Sequence, residues 1–296
     1  MADTWSAKVW SGLTNFDGDY IWTDEENIYY SSDGSAQYVL DKSTSTWNSK
    51  TWSGLTDING NEIWTDGENI YYSYGKDQQY ILDKATSTWN TLPWSWTGLT
   101  DVAGEFIWTD GSKIYYSVNS EQYVYDKNGY VWHKINWNGL TSFYAYGIWT
   151  DGENVYYSYH SNQYVLDKSD TFTWIPKTWN GVAPYNGSNV WTDGTDIYYS
   201  EGFNQYILDK STSTWNAKTW SGFTLVDGNN IWTDGTDTYY SNGNNQYFLG
   251  TPPTPNYVSY NNATEILTSV KAYIDGKTDE FTTDQMNTLK AIFTDD

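Results

Sequence analysis

The sequence predicts an all-β fold: a six-bladed β-propeller whose N-terminal strand closes the last blade, followed by a short C-terminal α-helical tail. Three observations carry this prediction. The segment Ile63-Trp64-Thr65-Asp66-Gly67-Glu68-Asn69-Ile70-Tyr71-Tyr72-Ser73 occurs in near copy six times, opening at Trp22, Trp64, Trp108, Trp149, Trp191 and Trp232. Successive openings lie 42, 44, 41, 42 and 41 residues apart, the period of a four-stranded propeller blade. The last copy lacks its final strand, and the first residues of the chain supply a match for it.

Within one repeat, turn signals separate four strand-like pieces. Strand a is expected over Glu62 to Thr65. Asp66-Gly67-Glu68-Asn69 follows as a tight hairpin, in which glycine supplies positive φ without steric cost. Strand b is expected over Ile70 to Tyr74. Gly75-Lys76-Asp77-Gln78 then turns the chain into strand c, Gln79-Tyr80-Ile81-Leu82. After Asp83-Lys84-Ala85-Thr86-Ser87 the outer strand d begins near Thr88-Trp89.

In the sixth repeat, Gly250-Thr251-Pro252-Pro253 replaces the Asp-Lys turn after Gln246-Tyr247-Phe248-Leu249. The sequence from Thr4 to Thr14 matches that from Thr214 to Thr224, so the N-terminal strand is expected to complete the last blade and remove its open edge. The propeller is accordingly assigned to residues 1–250 and a stiff Pro-rich linker to 251–260. A helical hairpin is expected over 261–296. Asn262 and Glu265 have capping-box spacing at its first helix, with Ile266, Leu267, Val270, Tyr273 and Ile274 on one face. Thr282 and Gln285 stand in the same relation at the second, with Met286, Leu289, Ile292 and Phe293. Too small to fold alone, this tail is expected to dock on the propeller or on another protein.

The run Ile70-Tyr71-Tyr72-Ser73, then Gln79 through Asp83-Lys84-Ala85-Thr86-Ser87-Thr88-Trp89, resembles the second half of a kelch repeat. That pattern has an aromatic-aliphatic strand, an Asp, a Thr-containing turn and a Trp. The Asp-Lys turn recurs at Asp41, Asp126, Asp167 and Asp209, with Trp47, Trp132, Trp174 and Trp215 beyond it. Where a kelch repeat has its diglycine, this chain has Tyr-Ser or a similar pair, so the repeat is kelch-like. The resemblance spans residues 1 to about 250 and implies a propeller of the kind used for protein binding.

Composition narrows the functions. The chain carries 37 acidic residues against 15 basic ones, all of them Lys, for a net charge of -22. Such a balance repels phosphate backbones and anionic membranes, which excludes nucleic acid and membrane surfaces as expected partners. The absence of cysteine removes disulfides, thiolate metal sites and thiol nucleophiles. Repeat sequence starts at Trp5, leaving no stretch that reads as a signal peptide, and no apolar run approaches the ~20 residues that span a bilayer.

Aromatic and acidic residues are plentiful enough to suggest sites, but most recur once per blade. Eighteen of the 19 tryptophans fall into three sets of six: the strand-a set; Trp5, Trp47, Trp89, Trp132, Trp174 and Trp215; and Trp10, Trp52, Trp96, Trp137, Trp179 and Trp220. A residue demanded by every blade reads as packing. The aspartates Asp24, Asp66, Asp110, Asp151, Asp193 and Asp234 form a ring that could hold Ca²⁺, but each also suits the start of its own hairpin, accepting backbone N–H bonds. No metal site is assigned.

Catalytic residues are likewise not assigned. The only histidines are His133 and His160, and neither a zinc-binding helix motif nor a serine elbow occurs. Six-bladed sialidases clamp their substrate carboxylate with arginines, of which this chain has none. A pair of carboxylates for glycoside hydrolysis stays open.

Variation concentrates elsewhere. The a–b and c–d turns fall on one face, where the a–b turn barely varies, whereas the b–c and d–a loops on the other differ in every blade. Candidate ligand-binding residues on that face are Phe143, Tyr144, Tyr146, Tyr159, His160, Tyr185 and Phe203, since loop tyrosines offer stiff, half-polar contact area to sugars or proteins. The chain therefore reads as a non-enzymatic binding or assembly module similar to those of phage virions or microbial surfaces, with a glycan or protein on the loop face and another protein on the tail. A cytoplasmic kelch-type scaffold is the alternative, and a glycoside-active enzyme the third reading.

Overall fold

In the computed structural model, residues 4–32, 36–92, 98–99, 101–167 and 173–250 are described; the expected linker and helical tail (Ile266, Leu267, Val270, Ile274, Met286, Leu289, Ile292 and Phe293 among them), Trp94 and Trp96 lie outside them. Each blade is an antiparallel four-stranded sheet, extended in two blades by a two-residue parallel fifth strand, Asn180–Gly181 and Ser221–Gly222. In the second blade the strands are Ile63–Thr65, Ile70–Tyr74, Gln78–Asp83 and Thr88–Thr91, paired in sequence order. Strand a begins one residue later than expected. Glu62 belongs instead to a single 3-10 turn, Gly60–Glu62, one of six such turns that contact one another in a closed ring. Five of the six start at Gly. A Cβ on Gly60 would sit 2.3 Å from the Tyr20 carbonyl of the preceding turn, so glycine permits this close approach. Blade 4 places Ala145 there.

The ring closes as the sequence predicts. Thr4–Ala7 pairs antiparallel with Asn245–Leu249, with Trp5 opposite Leu249 and Ala7 opposite Tyr247. Six blades therefore share six interfaces, each with its own buried aromatic cluster.

Among the described residues, five interfaces each draw one tryptophan from strand a of a blade, one from the connector and one from strand d of the next blade. Trp22, Trp52 and Trp89 meet with ring centroids 5.7, 6.0 and 6.1 Å apart. The same triad forms from Trp232, Trp10 and Trp47, from Trp108, Trp137 and Trp174, from Trp149, Trp179 and Trp215, and from Trp191, Trp220 and Trp5. Such contacts add ~0.5–1.5 kcal/mol per pair beyond the area they bury, so Trp and Tyr replace the aliphatic core of a typical domain. The connector can pass this close only at glycine. Gly54 has φ +83°, and a Cβ there would lie 1.9 Å from the Trp89 carbonyl.

Candidate functional site

The strand-a tryptophan and the hairpin aspartate, the two features repeated in every blade, are both fully engaged by the fold. Trp64 Nε1 donates to Ser73 Oγ at 2.9 Å, and the equivalent bond forms in all six blades. Asp66 Oδ1 accepts the N–H groups of Glu68 and Asn69, while Oδ2 accepts the Tyr71 hydroxyl at 2.9 Å. Burial resists ionisation of the Asp66 carboxyl, but the donors outweigh it and hold its pKa below the usual value. Each of the other five aspartates also accepts its own tyrosine hydroxyl and its own turn's N–H groups. Among the described residues, no group of three or more His, Asp or Glu is placed to hold a metal ion. His133 lies 3.9 Å from Asp126 in the outer hairpin of blade 3, and His160 lies on the b–c turn of blade 4.

The opposite face is built from b–c turns clasped by d–a loops. A buried glutamine on strand c makes the clasp: Gln37, Gln79, Gln122, Gln205 and Gln246 donate Nε2 to the carbonyls of Ile58, Val102, Phe143, Val226 and Phe16 in the loop entering the next blade. Each of these five loop residues lies four positions after a connector glycine and is at most 2% exposed. Its side chain plugs the loop end of the interface.

Phe143 is therefore a core residue. It is 1% exposed, and its ring stands edge-to-face against Tyr157 and Trp174, both at 5.4 Å. The sequence groups it with its loop neighbours as a candidate contact residue; the plug role of its position is visible only once all six loops are aligned on the connector glycine.

Five other candidates are brought together. Tyr144 stacks on Tyr146 at 5.1 Å with the planes 17° apart, and Tyr146 meets Tyr159 edge-on at 5.6 Å. Tyr159 contacts His160 at 4.2 Å, and His160 contacts Tyr185 at 4.4 Å. This strip crosses from the loop entering blade 4 to the loop entering blade 5. Burial, and then the hydrogen bond with Tyr159, pushes the Tyr146 phenol up, which keeps it protonated as a donor. Burial raises Tyr157 beneath the strip to about 12. Phe203 is 79% exposed on the b–c turn of blade 5.

The loop entering blade 5 departs from the other five. Gln163 Nε2 donates to Pro184 O, only three residues after Gly181, and Tyr185 at the usual plug position turns outward, 49% exposed. The Tyr185 carbonyl accepts His160 N–H at 2.7 Å, and Tyr159 and Asn186 form an antiparallel bridge. The pairing has slipped by one residue, which exchanges the inward and outward side chains. A cleft of about 590 Å³ lies beside this loop, lined by Val182, Ala183, Tyr185, Tyr199, Glu201, Asn204 and Tyr206. Tyr199 and Glu201 share one face of strand b, directly opposite Tyr206 and Asn204 on strand c. The Tyr199 hydroxyl donates to Glu201, and burial, then that bond, raises its pKa.

Sequence reasoning missed the strand side of this cleft, although a signal was present. The residue after Tyr-Tyr-Ser is Ser32, Tyr74, Val118, Tyr159, Glu201 or Asn242 in the six blades, so blade 5 alone carries an acid there.

The fold and its closure define a six-bladed all-β propeller. The extracellular domain of what is described as a one component system from B. thetaiotaomicron is similar over 86% of this chain and 34% of its own, at 14% identity and a TM-score of 0.51. The extracellular domain of a hybrid two component system from the same organism is similar over 79% and 33%, at 13% identity and a TM-score of 0.47. The chain thus spans about a third of the length of these structures. The first likeness bears on fold alone. No family model matches the chain, and no curated protein matches it.

Proposed function

We propose that this protein is a non-enzymatic binding module that recognises a glycan or a protein surface through the b–c/d–a face at blades 4 and 5. The observation that carries this reading is the aromatic strip Tyr144–Tyr146–Tyr159–His160–Tyr185, continuous ring to ring on the face whose loops differ in every blade. Exposed tyrosines bury large areas at small entropic cost, and they cluster where partners bind. The repeated acids of the a–b turns, by contrast, are held by turn N–H groups and tyrosine hydroxyls.

The kelch resemblance supports a binding role in general terms. The setting we favour is a virion or microbial surface, with residues 261–296 docking the propeller to a larger assembly. Isolation of the native protein from its source tests that setting, since the reading requires it to arrive within a particle or surface complex. A glycan array and a partner screen test the face. Tyr144→Ala with Tyr146→Ala is expected to abolish the principal hit while the propeller stays folded. Binding that survives both changes would place recognition elsewhere.

A further inference from the structure

We propose that the cleft at the entry to blade 5 is a subsite for an uncharged sugar unit of a glycan, with Glu201 and Asn204 hydrogen-bonding its hydroxyls and Tyr185 packing on its apolar face. This inference rests on the binding-face reading and assigns the ligand chemistry of that face.

The cleft is a constructed departure from the repeat. In five interfaces a loop side chain fills this level, as Phe16 does against Tyr30 at 5.5 Å and Phe143 against Tyr157 at 5.4 Å. In the blade 4/5 interface the slip turns the smaller Pro184 inward and carries Tyr185 to the surface, and the cleft lies beside Tyr199 and Tyr206. Those two rings lie 6.2 Å apart and only 21° from parallel, whereas Tyr72 and Tyr80 at the same register in blade 2 are inclined by 57°. A volume of about 590 Å³ falls within the roughly 300–1,000 Å³ of small-ligand sites.

The polar groups select the ligand. A carboxylate accepts only, an amide both donates and accepts, and a phenol does both. Glu201 and Asn204 are direct cross-strand partners, so an acceptor and a mixed donor–acceptor stand side by side. Adjacent sugar hydroxyls, each donor and acceptor at once, match such a pair. An ammonium group would satisfy Glu201 but present no acceptor to the amide. A carboxylated or sulfated sugar would meet Glu201 and a molecule of net charge -22 that has no arginine to clamp it.

The full-length protein should be screened on an array of neutral, sialylated and sulfated glycans, with the best neutral oligosaccharide then titrated calorimetrically. Neutral glycans are expected to bind, with little dependence on salt. Glu201→Gln and Tyr185→Ala should each weaken binding by about tenfold or more at unchanged melting temperature. Selective binding of anionic glycans, binding only of lysine-bearing peptides in a salt-sensitive manner, or no glycan binding at all would each overturn the proposal. If Tyr144→Ala with Tyr146→Ala abolishes neutral-glycan binding while the two cleft variants retain it, the cleft assignment fails and the face stands. Retention in all of these variants would overturn both.

Discussion

Two adjacent interfaces, blades 3/4 and 4/5, contain the same frame and differ in one loop. Both hold a tryptophan triad, a Trp–Ser hydrogen bond and a glutamine that reaches into the next loop. In the first, Phe143 closes the loop end; in the second, the same position holds Tyr185, which turns outward, and the smaller Pro184 is buried in its place. The frame is dense enough that a one-residue slip at its edge leaves the triad below intact, so a blade can gain a cleft without losing its core.

The sharpest way to break this comparison is to remove the plug. Phe143→Ala deletes a fully buried ring packed on Trp108, Trp137, Tyr157 and Trp174 and should cost about 3–5 kcal/mol, measured by denaturant unfolding followed through tryptophan fluorescence. A loss below about 1 kcal/mol would show that the loop end contributes little and that the two interfaces are equivalent.

A smaller effect is expected at the clasp. Gln163 accepts Ser158 Oγ at 2.7 Å and donates to His160 O at 3.1 Å and Pro184 O at 2.8 Å. Gln163→Leu preserves approximate volume but strands these groups, which should cost about 1–3 kcal/mol. The same variant should weaken ligand binding, because both sides of the aromatic strip hang on those carbonyls; Gln37→Leu, in a distant blade, should reduce stability with binding unchanged.

The frame was legible in the sequence because it repeats. A period near 42 residues, the Asp-Gly hairpin and the matching segments at Thr4 and Thr214 are local signals copied several times, and each copy corroborates the others. The site was only half legible. Tyr144, Tyr146, Tyr159, His160 and Tyr185 stood out as aromatic residues in variable loops, and the fold joins them. Phe143 looked the same in sequence, but its side chain turns inward, a direction set by which loop carbonyl the glutamine selects. That choice depends on backbone register, which no composition reveals. Glu201 is not legible as a loop residue because it ends strand Ile197–Glu201, and only the pairing with Asn204 brings it to the cleft.

Acid should separate the two faces. The folded-state pKa values of Asp66, Asp110 and Asp151 lie below the usual 3.8; burial opposes this, but turn N–H groups and tyrosine hydroxyls prevail. A group whose pKa is depressed on folding stabilises the fold fully above its unfolded value and loses that contribution as pH falls through the folded one. Stability should therefore hold down to about pH 4 and decline below 3.8, with amide exchange rising first in the a–b turns. Exchange that rises first in the d–a loops would show that the repeated carboxylates do not govern acid sensitivity.

The smallest effect on stability belongs to the residue that distinguishes the two interfaces. Tyr185 occupies the position of Phe143 in the loop sequence but is 49% exposed, and its ring rests on His160 at 4.4 Å without entering the tryptophan cluster. Tyr185→Ala should change unfolding free energy by no more than about 0.5 kcal/mol, against several for Phe143→Ala. The pair therefore reads the slip directly. Comparable losses at both positions would mean that Tyr185 spends its time as a plug and that the cleft is closed in solution. A near-neutral Tyr185→Ala with binding lost would mean that the blade-5 loop has exchanged a packing residue for a contact residue at almost no cost to the ring.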